Sequence, residues 1–216
     1  MKNKIWFFGD CFTWGWGCYP EQPYYEYKKE GDEIWTTLVS NHFKMDEEKP
    51  WYGSGALPWI VNLYIDNMDK MKSGDFVVIS DTLPHGVLSY NKGKDKISSY
   101  QSFDFDKDTD VWIKESDRIN TLPYINHYIN GKEEKWVDYY NNHISKIANE
   151  LLNRNIKTFQ WSHHIWKYEK KFETITQATD MNIKDAHFSW LGHKQMSEYI
   201  IDLITKDKFI GKKSLI

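Results

Sequence analysis

The stretch DFVVIS, residues 75–80, constrains the fold more than any other part of the chain. A short run of β-branched and aromatic residues reads as a strand. A helix is expected just before it. Ile60, Leu63, Tyr64, Met68 and Met71 recur at helical spacing, Pro58 suits a first turn, and Ser73-Gly74 ends the pattern. KIWFF, residues 4–8, reads as a second buried strand ended by Gly9, and IKTFQW, residues 156–161, alternates like a third. PWYG, residues 50–53, is expected to add a short strand. Helical spacing returns in EIWTTLVSNHF, residues 33–43, through Ile34, Leu38 and His42. It returns again from about 136 to 152 (Val137, Tyr140, Ile144, Ile147, Ala148, Leu151) and from about 189 to 205 (Met196, Tyr199, Ile200, Leu203, Ile204). Strands separated by helices call for a mostly parallel sheet covered on both faces, an α/β fold.

The 216 residues suffice for one sizeable core, so a single domain over 1–216 is expected. Residues 86–131 are polar, with aromatic islands and the charged run DFDKDTD, and read as an insertion. It is too long for a plain loop and is expected to carry structure of its own. A net charge of −3 carries no nucleic-acid signature. Short basic pairs such as Lys28-Lys29 read as solvated surface. No segment reaches the ~18 consecutive apolar residues of a membrane span. The apolar run near the N-terminus is shorter than the about 7 to 15 residues of a signal peptide, so a cytoplasmic protein is expected. Cys11 and Cys18 form neither a disulfide framework nor zinc spacing. His163, His164 and His187 show no clean ligand pattern, since adjacent residues on a strand end point to opposite sides, and no metal is expected.

Ligands of open α/β sheets bind beyond the carboxyl ends of the strands. Gly9, Asp10 and Cys11 follow the first expected strand, Gly53, Ser54 and Gly55 the second, Asp81 and Thr82 the third, and Ser162, His163 and His164 the fourth. DAHFSWLGH, residues 185–193, opens the last helix. One rim thus collects a nucleophile type, glycines, carboxylates and histidines. Cys11 could attack, His187 could take its proton, and Asp185 could orient His187. The N–H groups of Cys11 and Gly55 could face an oxyanion. Asp10 is expected to bond backbone in the turn, His193 to pack or cap near the last helix, and Cys18 to be inert. Trp14 and Trp190 flank the site and could line a substrate platform.

At these residues the chain resembles the SGNH, or GDSL-type, hydrolases. GDCFTWG looks like the family's Gly-Asp-Ser block, YGSGALPWIV like the block supplying a glycine oxyanion donor, and DAHFSWLGH like the block holding the catalytic Asp and His. The resemblance runs from Lys4 to about Ile204 and leaves the 86–131 insertion uncovered. It implies a three-layer α/β/α sandwich with a flavodoxin-like sheet, and ester hydrolysis or acyl transfer without a cofactor. By position it places Cys11 at the nucleophile, His187 at the base, Asp185 at the acid and Gly55 at the oxyanion donor. The chain departs from the family in three places. Cysteine replaces the serine nucleophile, Thr82 stands where an asparagine donor is expected, and one residue rather than two separates Asp185 from His187.

The expected substrate is a small-molecule or glycan ester, acetylated sugars included, with no nucleic-acid partner. The insertion offers a surface for a protein partner, and the oligomeric state is open. The alternative is a binding or structural protein of the same fold without catalysis. A Lys-, Asn-, Ile- and Tyr-rich composition fits a low-GC bacterial or phage source, and in the latter case a virion-associated protein.

Overall fold

The structure, a computed structural model, describes residues 2–15, 18, 28–50, 57–81, 86–91, 96–101, 133–162 and 187–211. Its centre is a parallel sheet of β1 (Lys4–Phe8), β2 (Asp46–Glu48), β3 (Phe76–Asp81) and β6 (Lys157–Ser162), in the spatial order β2-β1-β3-β6. The four strands thus run 2-1-3-4 in chain order, the flavodoxin-like arrangement, with the order reversing between β1 and β3. Phe8 lies opposite Ile79 and Asp81 opposite Ser162, so the carboxyl ends share one edge.

Period-two alternation sends neighbouring side chains to opposite faces. Trp6, Phe8, Val77 and Ile79 pack with Ile60 and Tyr64 of α3 (Leu57–Asn67) and with Ile144, Ile147 and Leu151 of α4 (Glu133–Asn153). Ile5, Phe7, Val78, Phe159 and Trp161 pack with Trp35 and Val39 of α2 (Trp35–Phe43) and with Met196, Ile200 and Ile204 of α5 (Trp190–Thr205). Two helices on each face make three layers, α/β/α. Burying each such side chain contributes about 1.5–3 kcal/mol. The polar exception on the first face is bonded: Tyr64 Oη and Thr158 Oγ1 share a hydrogen bond of 2.7 Å.

The second strand lies earlier than expected, at Asp46–Glu48 rather than 50–53. It is the sheet's edge, where a strand needs only one partner and charged residues are tolerated. Lys2 pairs with Asp46, Lys4 with Glu48 and Lys49 with Glu47. Pro50 lies outside the strand, and 51–53 lie outside the described residues. The expected helix from Pro58 ends as α3 at Asn67, followed by a 3₁₀ turn at Met68–Lys70. Within the 86–131 insertion, β4 (Gly86–Asn91) and β5 (Lys96–Gln101) pair antiparallel as a separate two-stranded sheet. Among the described residues no helix is long and apolar enough to cross a membrane.

Candidate active site

β1 runs straight into the turn that carries Cys11. A Cβ on Gly9 would lie 1.9 Å from Thr13 Oγ1 and 3.0 Å from Ser80 Oγ, so only glycine lets this turn press against the segment that follows. Asp10 then starts the one-turn helix α1 (Cys11–Trp14). Its side chain accepts from the Phe12 N–H at 3.0 Å, the expected use of aspartate here. Gly15 closes α1 in the left-handed region, with φ 78°, and its N–H donates to the Cys11 carbonyl. A Cβ on Gly15 would meet Ile34 Cγ2 at 2.4 Å. Cys11, partly buried, is therefore the first residue of a short helix fixed at both ends, where the sheet's strand order reverses.

The last helix brings the histidines. Ser189 caps α5 by accepting from the Gly192 N–H at 3.1 Å. Two residues before this cap, the His187 ring lies 4.8 Å from the Phe12 ring, at 33° to it. His187 Nε2 is shielded from solvent. Phe188 packs on Phe12 at 5.0 Å, and the buried Cys18 thiol donates to the Phe188 carbonyl at 3.5 Å. The GDCFTWG stretch, through Phe12, and the HFSWLGH stretch, through His187 and Phe188, thus meet at one rim. Asp185, Gly55 and Thr82 lie outside the described residues.

His193 is fully buried, and its Nδ1 accepts from the Trp35 N–H at 3.5 Å. Burial pushes its pKa down to about 3, helped by the charges of His187 and Lys49, so it is neutral. It packs, as expected from the sequence. Trp190 lies 6.1 Å from His193 and has Lys28 Nζ 5.9 Å from its ring centre. Beside Trp190, a groove of about 680 Å³ runs between α2 and α5, with Leu38 and Ile201 in its lining.

Two side chains near the site escape a reading of motifs. Trp35, fully buried, donates from Nε1 to the Phe12 carbonyl at 3.0 Å and so ties α2 to α1. Lys49 follows β2 and places its ammonium 4.8 Å from the centre of the Trp14 ring. Neither belongs to a block with recognisable chemistry. The only local trace is the alternation of Glu47 and Lys49, which puts two opposite charges on one side of an extended segment.

Neither a protein-family model nor a curated protein matches the chain. Similar solved structures include an acetyl xylan esterase from the rumen bacterium Butyrivibrio proteoclasticus, at 12% identity and a TM-score of 0.46 over 95% of this chain and 64% of that one. Another is a carbohydrate esterase whose active site displays divergent catalytic and non-catalytic binding functions, at 14% identity and a TM-score of 0.37 over 98% of this chain. A third is a putative lipolytic protein of the G-D-S-L family from Desulfitobacterium hafniense DCB-2, at 13% identity and a TM-score of 0.35 over 93% of this chain and 99% of that one. This chain spans 64% and 66% of the length of the first two.

Proposed function

We propose that the protein is an acyl-ester hydrolase of the SGNH type, acting on an ester or O-acetyl group, with Cys11 as nucleophile and His187 as its base. The observation that carries this reading is the placement of Cys11 at the head of α1, at the switch point of the sheet, with the His187 ring 4.8 Å from that of the adjacent Phe12. In the proposed reaction the Cys11 thiol gives its proton to His187 and the sulfur attacks the ester carbonyl carbon. The tetrahedral oxyanion is met by the Cys11 N–H and by Gly55 and Thr82. The carbon–oxygen bond to the alcohol then breaks, and His187 returns the proton to the leaving alkoxide. Water, deprotonated by His187, attacks the thioester and releases the acid and the Cys11 thiol. Asp185 is assigned the orientation of His187.

Cys11 supplies the test. Iodoacetamide at neutral pH should label Cys11 and stop hydrolysis of aryl acetates or acetylated sugars, and Cys11→Ala should do the same. His187→Ala should lower the rate about 100-fold or more, the usual range for a lost general base. An unreactive Cys11 together with no turnover on that panel overturns the proposal and leaves a binding module of the same fold. Cys11→Ser separates the remaining cases: turnover by that variant alone would show intact machinery around a silenced nucleophile.

A further inference from the structure

Lys49 stands apart from most of the other ion-paired lysines among the described residues. The side chains of the Lys2–Asp46 pair are each 54% exposed, and those of Lys206–Asp202 are 57% and 47% exposed. The Lys49 side chain is only 12% exposed. Its Nζ lies 2.6 Å from Glu47 Oε1 and donates to Thr36 Oγ1 at 3.2 Å. Thr36 and Thr37, in the first turn of α2, donate to the two Glu47 oxygens at 2.7 and 2.8 Å. Burial pushes the Glu47 carboxyl up, but the Lys49 ammonium and the two hydroxyls outweigh it, so its pKa lies below the ordinary value. Removing an ammonium from water is costly, and apolar side chains often serve such a place equally well for stability. The charge therefore calls for a use beyond packing.

That use lies on the open side of the cluster, where the ammonium faces the Trp14 ring at 4.8 Å. Trp14 is the last residue of α1, and Cys11 is the first. Residues three apart on a helix share a face, so a grip on Trp14 acts one turn from the thiol. A four-residue helix cannot hold its own shape, because nucleation is unfavourable, and depends on contacts from outside. Trp35 supplies one at the Phe12 carbonyl, and His187 and Phe188 supply others at the Phe12 ring. At the other end Gly15 closes the turn against Ile34, and the Trp14 ring itself is met by Lys49.

We propose that Lys49 is a positioning residue for Cys11: its ammonium, held by Glu47 and Thr36, pins Trp14 and so fixes the turn that presents the thiol. The role rests on Cys11 being the nucleophile, but thiol alkylation reads it without any ester. Iodoacetamide labelling at pH 7, followed peptide by peptide, compares Cys11 with the buried Cys18 as an internal control for loosening of the fold. Lys49→Met should slow Cys11 labelling roughly tenfold, since the thiol ionises readily only while the turn keeps it beside its base and the local positive charge, while Cys18 stays protected. Lys49→Arg should restore the wild-type rate, Trp14→Leu should match Lys49→Met, and the double variant should be no slower than either. If wild-type Cys11 hydrolyses esters, Lys49→Met should lower kcat and leave KM unchanged. Should Lys49→Met not fold, Glu47→Gln loosens the same ammonium and must give the same selective loss at Cys11. Unchanged Cys11 labelling overturns the proposal. So does labelling of Cys18 in parallel, which would mark a general brace, and so do additive effects in the double variant. Normal labelling changes without any ester turnover would leave the positioning role standing and reject the hydrolase reading.

Discussion

The two ends of the sheet treat buried polar groups in opposite ways. At the amino end, Asp75 is buried between β1 and β3 and accepts from Lys4 N, Trp6 Nε1 and Lys72 N at 2.9, 3.0 and 3.0 Å. Arg154 closes the same end by donating to the Met68 and Met71 carbonyls at 2.9 and 2.7 Å. At the carboxyl end, Thr13 Oγ1, Ser80 Oγ and His193 Nε2 are buried without a hydrogen-bond partner among the described residues, against Ser40 Oγ of α2 towards the amino end. Nearly all buried polar atoms in folded proteins are bonded, so a cluster of exceptions sets this region apart from the amino end. The amino end holds the layers together, and the carboxyl end carries the turn with Cys11.

Breaking the amino end should give the largest effect. Asp75→Ala leaves three donors without their acceptor, one of them a buried indole N–H, and should cost about 4 kcal/mol in urea unfolding. Iodoacetamide labelling of Cys11 in the folded protein should be unchanged. A slower reaction at Cys11 would show that the two ends are coupled, against the comparison. Gly9→Ala attacks the other end. Its Cβ would fall within 1.9 Å of Thr13 Oγ1, and the turn or α1 must shift. The expected cost is about 3 kcal/mol, from overpacking. Here Cys11 labelling should change with stability, since the displaced segment is the one that presents the thiol.

The neutral state of His193 makes the carboxyl end sensitive to acid. Its folded pKa of about 3 lies below the ordinary value of 6.5, so at mildly acidic pH the unfolded chain binds the proton and the native chain does not. The stability this gives is fully present above about pH 6.5 and is lost as pH falls towards 3. Between pH 7 and pH 5 the loss should be about 2 kcal/mol, read from urea midpoints. His193→Phe should flatten that part of the profile. A slope unchanged in this variant would mean that another group carries the acid sensitivity.

How much of this was legible in the chain depends on the range of the interaction. β1, β3 and β6 declare themselves because each is a short apolar segment whose partners lie on both faces. β2 does not, because Asp46, Glu47 and Glu48 form an edge strand whose stability comes from one neighbour and from lysines elsewhere in the chain. The sheet of β4 and β5 is also polar, and only pairing reveals it. At the rim, Gly9, Asp10 and Gly15 were readable because their roles are local: a close approach, a cap and a left-handed end. Trp35 and Lys49 act on α1 from α2 and from beyond β2, across 23 residues in the first case, and no local pattern encodes such contacts.

The smallest expected effect is also the sharpest test of the contrast between the ends. Ser80 sits in β3, five residues after Asp75, and its hydroxyl faces the Gly9 turn without a hydrogen-bond partner among the described residues. Ser80→Ala removes a desolvated polar atom and leaves no donor or acceptor behind it, so stability should change by no more than about 0.5 kcal/mol, with stabilisation the favoured sign. The same kind of truncation at Asp75, just before the same strand, is expected to cost several times that. A loss above about 1.5 kcal/mol at Ser80 would mean that its hydroxyl is bonded after all, through a buried water shared with Thr13. The carboxyl end would then be closed as thoroughly as the amino end, and the cluster of unbonded atoms would no longer set the Cys11 turn apart.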